Sequence, residues 1–505
     1  MTMQTDVQDV LDRLKTAQQQ PLGDPRFKSL IGLEKSTFSQ SASTISGLTF
    51  YDLQLGAKFL YPVLTPLRNM IPRVSGKGGI QAAWRAITAI NTTGLRFGVS
   101  SANRGGVLAV TTRDYTANYK GIGVETSVDF EAQFAGQEFD DVRAVGAKTG
   151  LEALMLGEEA MILGGSTSTP LGTAPTPTLT ALTTGGTLAA QTWSVICAAL
   201  TLDGLMNGSI AGGVQGSITR TNADLSSDTF GGGVAKKSAN ATVTTTGATG
   251  SITASVAPVV GAMGYAWFWG AAGAEALGAI TAINSAVITA NASGTQTAAS
   301  LGVNDNSTNA FAFDGLIYQA LIPASGSYVF TMTSGSAGIG TPLTSDSAGG
   351  IVEIDTALKS MWDNYRLSPD TMWVNSQEAL NISKKILSGS QTGAQRFVFE
   401  TSQDLVGGGI MVRTYLNRVS MQGGSVIDIK VHPNMPAGTI LMTTRMLPYP
   451  LAGVGNVVQI RTRQDYYQIE WPLRTRKYEY GVYSDEVLQN YFPPSLALIT
   501  NIGNG

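Results

Sequence analysis

The chain has 505 residues, of which 14% are charged and 59 are glycine, and its formal net charge is −3. That length allows two or three domains with cores of their own, and so little charge suits a protein that hides surface in an assembly. The near-neutral balance excludes a polybasic grip on nucleic acid or on an anionic membrane. A single cysteine, Cys197, and a single histidine, His432, exclude an intrachain disulfide framework and any Cys/His zinc site.

The opening stretch, "MTMQTDVQDVLDRLKTAQQQ", carries Asp6, Asp9 and Asp12 and has no apolar h-region, so it does not read as a signal peptide. Val7, Val10, Leu11 and Leu14 predict a short amphipathic helix that docks on another surface. Residues 78–130 predict two long strands, 80–90 and 107–128, joined by a polar Gly/Asn-rich tip at 91–106. A lone long hairpin is marginal in water, and reaching onto a neighbouring subunit is one solution. Arg96 and Arg104, at or near the tip, are the candidate charged contacts to that neighbour.

"FDDVRAVGAKTGLEALMLGEEAMILGG" (139–165) predicts the longest helix. Asp140 and Asp141 suit its N-terminus, Val142, Val145, Leu151, Leu154, Met155 and Ile162 recur at helical spacing, and Gly164 and Gly165 stop it. Gly146, Gly150 and Gly157 each cost about 1 kcal/mol of helix propensity, which suggests close approach by another backbone. Glu158 and Glu159 are expected on a solvated helix edge, since adjacent helical residues do not converge as a catalytic pair.

From Thr149 to Leu358 the only basic residues are Arg220, Lys236 and Lys237. Within this span a Gly/Ala/Ser/Thr-rich block, roughly 165–320, opens with the linker "GGSTSTPLGTAPTPT" and reads as an insertion into an ordinary charged protein. "TWSVICAALT", "ATVTTTGATGSITASV", "GYAWFWGAAG" and "AITAINSAVITA" alternate between Gly/Asn/Ser breaks and predict an antiparallel sandwich. Cys197 is expected buried and inert on one such strand. Ser255–Ala274 has the length and apolarity of a bilayer span, but Pro258 and the period-two aromatics Tyr265, Trp267 and Trp269 favour a strand. "GGGVAKKS" has Lys236 where a phosphate loop needs glycine, so a surface turn is expected.

Beyond the block, Ile351, Ile354, Leu358, Met361, Trp362 and Tyr365 predict a helix closed before Pro369. "DTMWVNS" reads as a buried strand, and Ser376 as the cap of a further helix. The tail from Gly409 is strand-rich. "LVGGGIMV" lacks the spacing of a dinucleotide loop. A Ser-His-Asp or Cys-His mechanism would have to use His432, which lies in "VHPNMPAGT" and is expected at a turn or on the surface. In "RTRKYEY", strand alternation sets Arg474, Arg476 and Tyr478 on one face, which fits an intersubunit or solvent face better than single-strand binding. No catalytic, cofactor-binding or metal-binding residues are assigned.

An arm, a long two-stranded loop, a long helix, a helix–strand–helix unit and closing strands form an order that resembles the tailed-phage major capsid protein family, whose Hong Kong 97-type fold is shared by encapsulins. The best local matches are "LSPDTMWVNSQEALNISKKIL" and "DYYQIEWPLRTRKYEYGVYSDEVLQNYF". "APVVGAMGYAWFWG" resembles fibronectin type III and related immunoglobulin-like domains through Pro258, Gly261, Ala262, Tyr265, Trp267 and Trp269. "LAAQTWSVICAAL" resembles a partner strand, with Trp193 where that family usually has Tyr.

The resemblance implies an α+β capsid fold. Its parts are an N-terminal arm (1–60), an extended loop and its base (61–131), a spine helix (132–168), an inserted immunoglobulin-like domain (169–312), an A-domain (313–448) and closing strands (449–505). It implies a non-enzymatic protein of the virion, present in the host cytoplasm during assembly, whose copies form hexamers and pentamers of an icosahedral shell. The implied partners are other copies, a portal, scaffold or decoration proteins, and packaged double-stranded DNA held non-specifically; no cofactor and no membrane are implied. Some family members join a loop lysine to a neighbour's asparagine, but Lys77 and Lys120 lie away from the tip and no residue is assigned to that role. The alternatives are an encapsulin-like nanocompartment and a surface adhesin built on the sandwich.

Overall fold

The computed structural model describes residues 58, 60–90, 101–102, 104–136, 141–388, 412–421, 424–473 and 475–505. The helix expected at 7–14, the tip residue Arg96, Asp140, Arg474 and all of "LVGGGIMV" but Val412 lie outside them.

A short helix α1 (Pro66–Met70) and strand β1 (Arg73–Ser75) lead into β2 (Gln81–Ile90) and β3 (Val110–Asn118), which pair antiparallel as a two-stranded sheet. The expected second strand does not run unbroken to 128. At Tyr119 it gives way to β4 (Lys120–Asp129), which leaves the hairpin and pairs along a C-terminal strand instead. Local pattern explains the switch: Ile122, Val124, Thr126 and Val128 alternate at period two with a helix to pack on, whereas Val107, Leu108 and Val110 have no such layer and stay exposed.

The short helix α2 (Phe130–Ala135) precedes α3 (Val142–Gly164), the long helix. Asp141 caps α3 by accepting from the Arg143 and Ala144 amides at 3.1 and 3.2 Å. Its glycines admit side chains, not a backbone. Gly146 and Gly150 face Thr126 of β4, and the Tyr480 hydroxyl fills the space beside Gly146 and donates to the Arg143 carbonyl at 2.9 Å. Gly157 faces open space.

The low-charge block comprises β5 (Thr178–Leu182), β6 (Thr192–Leu200), the short helix α4 (Leu202–Met206), a small hairpin of β7 (Ser217–Thr221) and β8 (Ser227–Gly231), then β9 (Ala241–Thr244), β10 (Ser251–Ser255), β11 (Gly264–Gly270), β12 (Ala276–Thr281) and β13 (Ser285–Ile288). Two antiparallel sheets, ordered β13-β10-β5 and β12-β11-β6-β9, share one core. Tyr265, Trp267 and Trp269 of β11 enter it beside Trp193, Val195 and Cys197 of β6, facing Ile252, Ala254 and Ile288. Buried indoles and phenols of ~150–250 Å² each explain how so polar a block holds a core. Phe268, on the other face of β11, is fully buried in a second cluster with Leu200, Val214, Val234, Leu277 and Leu301 of the same block.

The remainder begins with α5 (Leu316–Leu321) and β14 (Tyr328–Thr331), followed by α6 (Val352–Tyr365), β15 (Thr371–Val374) and α7 (Ser376–Ser388). Then come β16 (Thr414–Asn417), β17 (Ser425–Val431), β18 (Ile440–Thr443), β19 (Val458–Glu470), β20 (Lys477–Asn490) and β21 (Leu496–Thr500). Arg366 in the left-handed region ends α6. The cap of α7 is Asn375, whose Oδ1 accepts from the Gln377 amide at 2.9 Å, and not Ser376, which is the first helical residue. A six-stranded sheet ordered β14-β21-β18-β15-β17-β16 packs on α6 and α7 through Ile354, Leu358, Met372, Val374, Ile382 and Ile499. A four-stranded sheet ordered β1-β19-β20-β4 carries α3. The described residues are α+β, in the order hairpin, long helix, sandwich, helix–strand–helix and closing strands.

Candidate assembly surface and the junction behind it

Burial along the hairpin falls from base to tip. At the base Ala82 is buried, and Trp84 stacks on Tyr115 (5.8 Å) and meets the edge of Tyr491 (5.8 Å). Farther out, Ile87 is 66% and Ile90 55% exposed, and Ile90 pairs across the ladder with Val110, which is 47% exposed. Val107 reaches 90%. Arg85 and Asp114 bridge the strands in a bidentate ion pair at 2.5 and 2.7 Å, holding register without covering the apolar residues. Arg104 is exposed beyond the end of the ladder. Among the described residues the outer hairpin therefore has apolar side chains in water and no second layer.

Behind the hairpin's base lies a buried polar junction that the sequence reading missed. Glu158 and Glu159, expected in solvent, are 1% and 0% exposed, and His432, expected at a turn or on the surface, stands at a turn but is 1% exposed. Glu159 caps α1 from another element: its Oε1 accepts from the Leu67 amide at 2.8 Å and its Oε2 from the Arg68 amide at 2.7 Å. Pro66 at the first helical position has no amide to offer, and Thr65 makes no side-chain cap. The Asn434 amide donates to Nδ1 of His432 at 3.1 Å, so Nε2 carries the proton and donates to Glu159 Oε1 at 2.6 Å. One carboxylate thus ties together α1, α3 and the loop after β17.

Glu158 turns the other way, as neighbours on a helix must. It accepts from Arg73, from Tyr466 and, at 3.2 Å, from Arg68 Nε. Arg73 also donates to Glu486 Oε2 and Asp465 Oδ1, each at 2.6 Å, and its guanidinium lies 4.4 Å from the Tyr466 ring centroid. Burial first, and then the Glu158 charge, push the Glu486 carboxyl up to about 7. The only sequence signals for this junction were a lone histidine and a proline-started helix with no cap of its own.

Cys197 is fully buried, and burial pushes its thiol well above the usual range. "GGGVAKKS" is no surface turn: Gly232 to Ala235 are buried, and Gly233, at φ +86°, has no room for a side chain, since a Cβ there would collide with the Gly204 nitrogen and the Thr201 hydroxyl. Tyr478 of "RTRKYEY" stacks on Phe130 at 5.8 Å and lies beneath Arg143 at 4.4 Å, while Arg476 pairs with Glu131 at 3.1 Å. No helix among the described residues is long and apolar enough to cross a membrane.

No family model matches the chain, and no curated protein matches it. Solved structures with a similar path include the capsid of a native GTA particle, 9% identical, covering 93% of this chain and 100% of that one, with a TM-score of 0.40. A Mycobacterium phage Bobi chain is 10% identical, covers 92% and 99%, and has a TM-score of 0.38. An encapsulin from Synechococcus elongatus is 9% identical, covers 88% and 93%, and has a TM-score of 0.37.

Proposed function

We propose that this chain is the major capsid protein of a tailed double-stranded DNA phage, its copies tiling as hexamers and pentamers into an icosahedral shell. The observation that carries the reading is the outer hairpin. A two-stranded ribbon has no core of its own, yet Ile87, Ile90, Val107 and Val110 are held out in water by a base anchored through Trp84. A second copy of this chain supplies the missing layer, and many such weak contacts add up around a closed shell. Arg104 lies where it meets that neighbour. The 169–312 block is an immunoglobulin-like insertion carried on the shell, and the near-neutral net charge fits DNA confined by the wall without tight binding. Portal and scaffold or decoration proteins would be further partners.

The test is sedimentation of purified chain under assembly conditions. Wild type should form particles, while Ile87→Asp and Val107→Asp, far from any core, should remain as small oligomers with an unchanged melting temperature. Particles of normal size from both variants would sink the role given to the hairpin.

A further inference from the structure

A cleft of about 1150 Å³ opens between the outer face of β4–β20, the C-terminal half of α3 and the low-charge block. One wall is aromatic and built flat. Tyr483 lies over Gly123, its cross-strand partner, and over Gly481, two residues before it on the same strand; a Cβ at either glycine would collide with the ring. Tyr467 stacks beside Tyr483 at 5.7 Å. Glu125 fixes the wall by accepting from the Tyr483 hydroxyl and, at 3.0 and 3.2 Å, from the indole nitrogen of Trp471. The opposite wall carries Phe230 and Phe311, packed edge to face at 5.8 Å. Trp471 remains 42% and Phe311 46% exposed.

The polar lining is one-sided. Glu125, Asp203, Asp224, Asp228 and Glu479 are present against one cation, Arg220, which is already paired with Asp228 at 2.8 Å. Phosphates and sialic acids would be repelled. Carboxylates instead accept well from hydroxyl groups, and flat rings held at fixed orientation match the apolar C–H face of a pyranose. The volume exceeds the ~300–1,000 Å³ of ordinary small-molecule pockets, which suits several sugar units better than one.

We propose that this cleft binds a neutral oligosaccharide of β-linked, all-equatorial pyranoses, stacked on Trp471 and Phe311 and hydrogen-bonded to Glu125 and Glu479. The site belongs to the junction of sheet and insertion, and its test is independent of whether the chain builds a shell. Full-length chain is titrated calorimetrically with chitotetraose and cellotetraose, with sialyllactose and pentalysine as controls. At least one tetrasaccharide should bind with a Kd of about 1 mM or tighter, and sialyllactose should not. Trp471→Ala and Phe311→Ala, both at exposed rings, should each weaken binding about tenfold while leaving the melting temperature unchanged. Absence of binding by both tetrasaccharides, equal affinity in both variants, or binding of pentalysine alone would overturn the proposal, the last in favour of a basic peptide.

Discussion

Asn284 of the low-charge block and Asn501 near the C-terminus hold each other by two opposed hydrogen bonds: the Asn284 backbone N–H donates to Asn501 Oδ1 at 2.9 Å, and Asn501 Nδ2 donates to Asn284 Oδ1 at 3.0 Å. Both residues are buried, and Asn501 adopts φ +61°, a conformation asparagine tolerates better than most residues. Asn501 also donates to the Met332 carbonyl at 2.8 Å, and Asn284 to Ser334 at 2.7 Å. Asn284→Ala should cost about 2–3 kcal/mol, because it strands buried polar groups on the partner side. The urea midpoint of the full chain measures this; an unchanged midpoint would mean that water replaces the pair without loss.

The same contact bears on what deleting the block should do. The block shares the main core through Leu202 and Met263, which pack with Ile317, Tyr318 and Leu321, and the Tyr318 hydroxyl donates to the Gly261 carbonyl at 3.0 Å. Removing 170–312 and joining the ends should expose this apolar floor and give an aggregating chain. A soluble deletion variant that still forms particles would show that the floor closes over by itself.

Glu159 should be among the least replaceable residues. Glu159→Ala leaves two helix-terminal amides and the imidazole of His432 buried without an acceptor, at a cost of about 1–3 kcal/mol for each stranded donor. Glu159→Gln keeps the volume and one acceptor oxygen and should recover part of that. Chemical denaturation of both variants, with His432→Gln alongside, separates the cap from the imidazole contact; wild-type stability in Glu159→Ala would refute the capping role.

A pH effect follows from Glu378, which is fully buried and whose Oε2 has no hydrogen-bond partner. Burial pushes its carboxyl up to about 7, partly opposed by the Gly438 amide and Gln377. A raised folded-state value means that the folded chain holds this proton more tightly than the unfolded one. The resulting stability is complete below the ordinary carboxylate range and is lost as pH rises through about 7. Glu378→Gln should therefore equal wild type at pH 5 or fall slightly below it, and exceed it at pH 8 by on the order of 2–3 kcal/mol. A difference independent of pH would show that the group does not titrate in this window.

What could be read from the sequence was what repeats locally. The period-two aromatics of "GYAWFWGAAG" placed Tyr265, Trp267 and Trp269 in a sandwich core, and the helical spacing from Val142 to Ile162 placed α3. What escaped was fixed by distant partners. Glu159 is buried because α1, 91 residues before it, has amides without a cap, and His432 is buried because Glu159 is there. The break at Tyr119 escaped because β3 and β4 share one strand-like pattern, and only the partner across the ladder tells them apart. Of the two tip arginines, Arg104 is exposed and Arg96 lies outside the described residues.

Electron microscopy of the purified full-length chain tests the central claim most directly. Under assembly conditions it should show closed icosahedral shells in which the outer hairpin of one copy lies on its neighbour, covering Ile87, Ile90 and Val110. Persistently monomeric globules, or shells whose hairpins stand free in solvent, would contradict it.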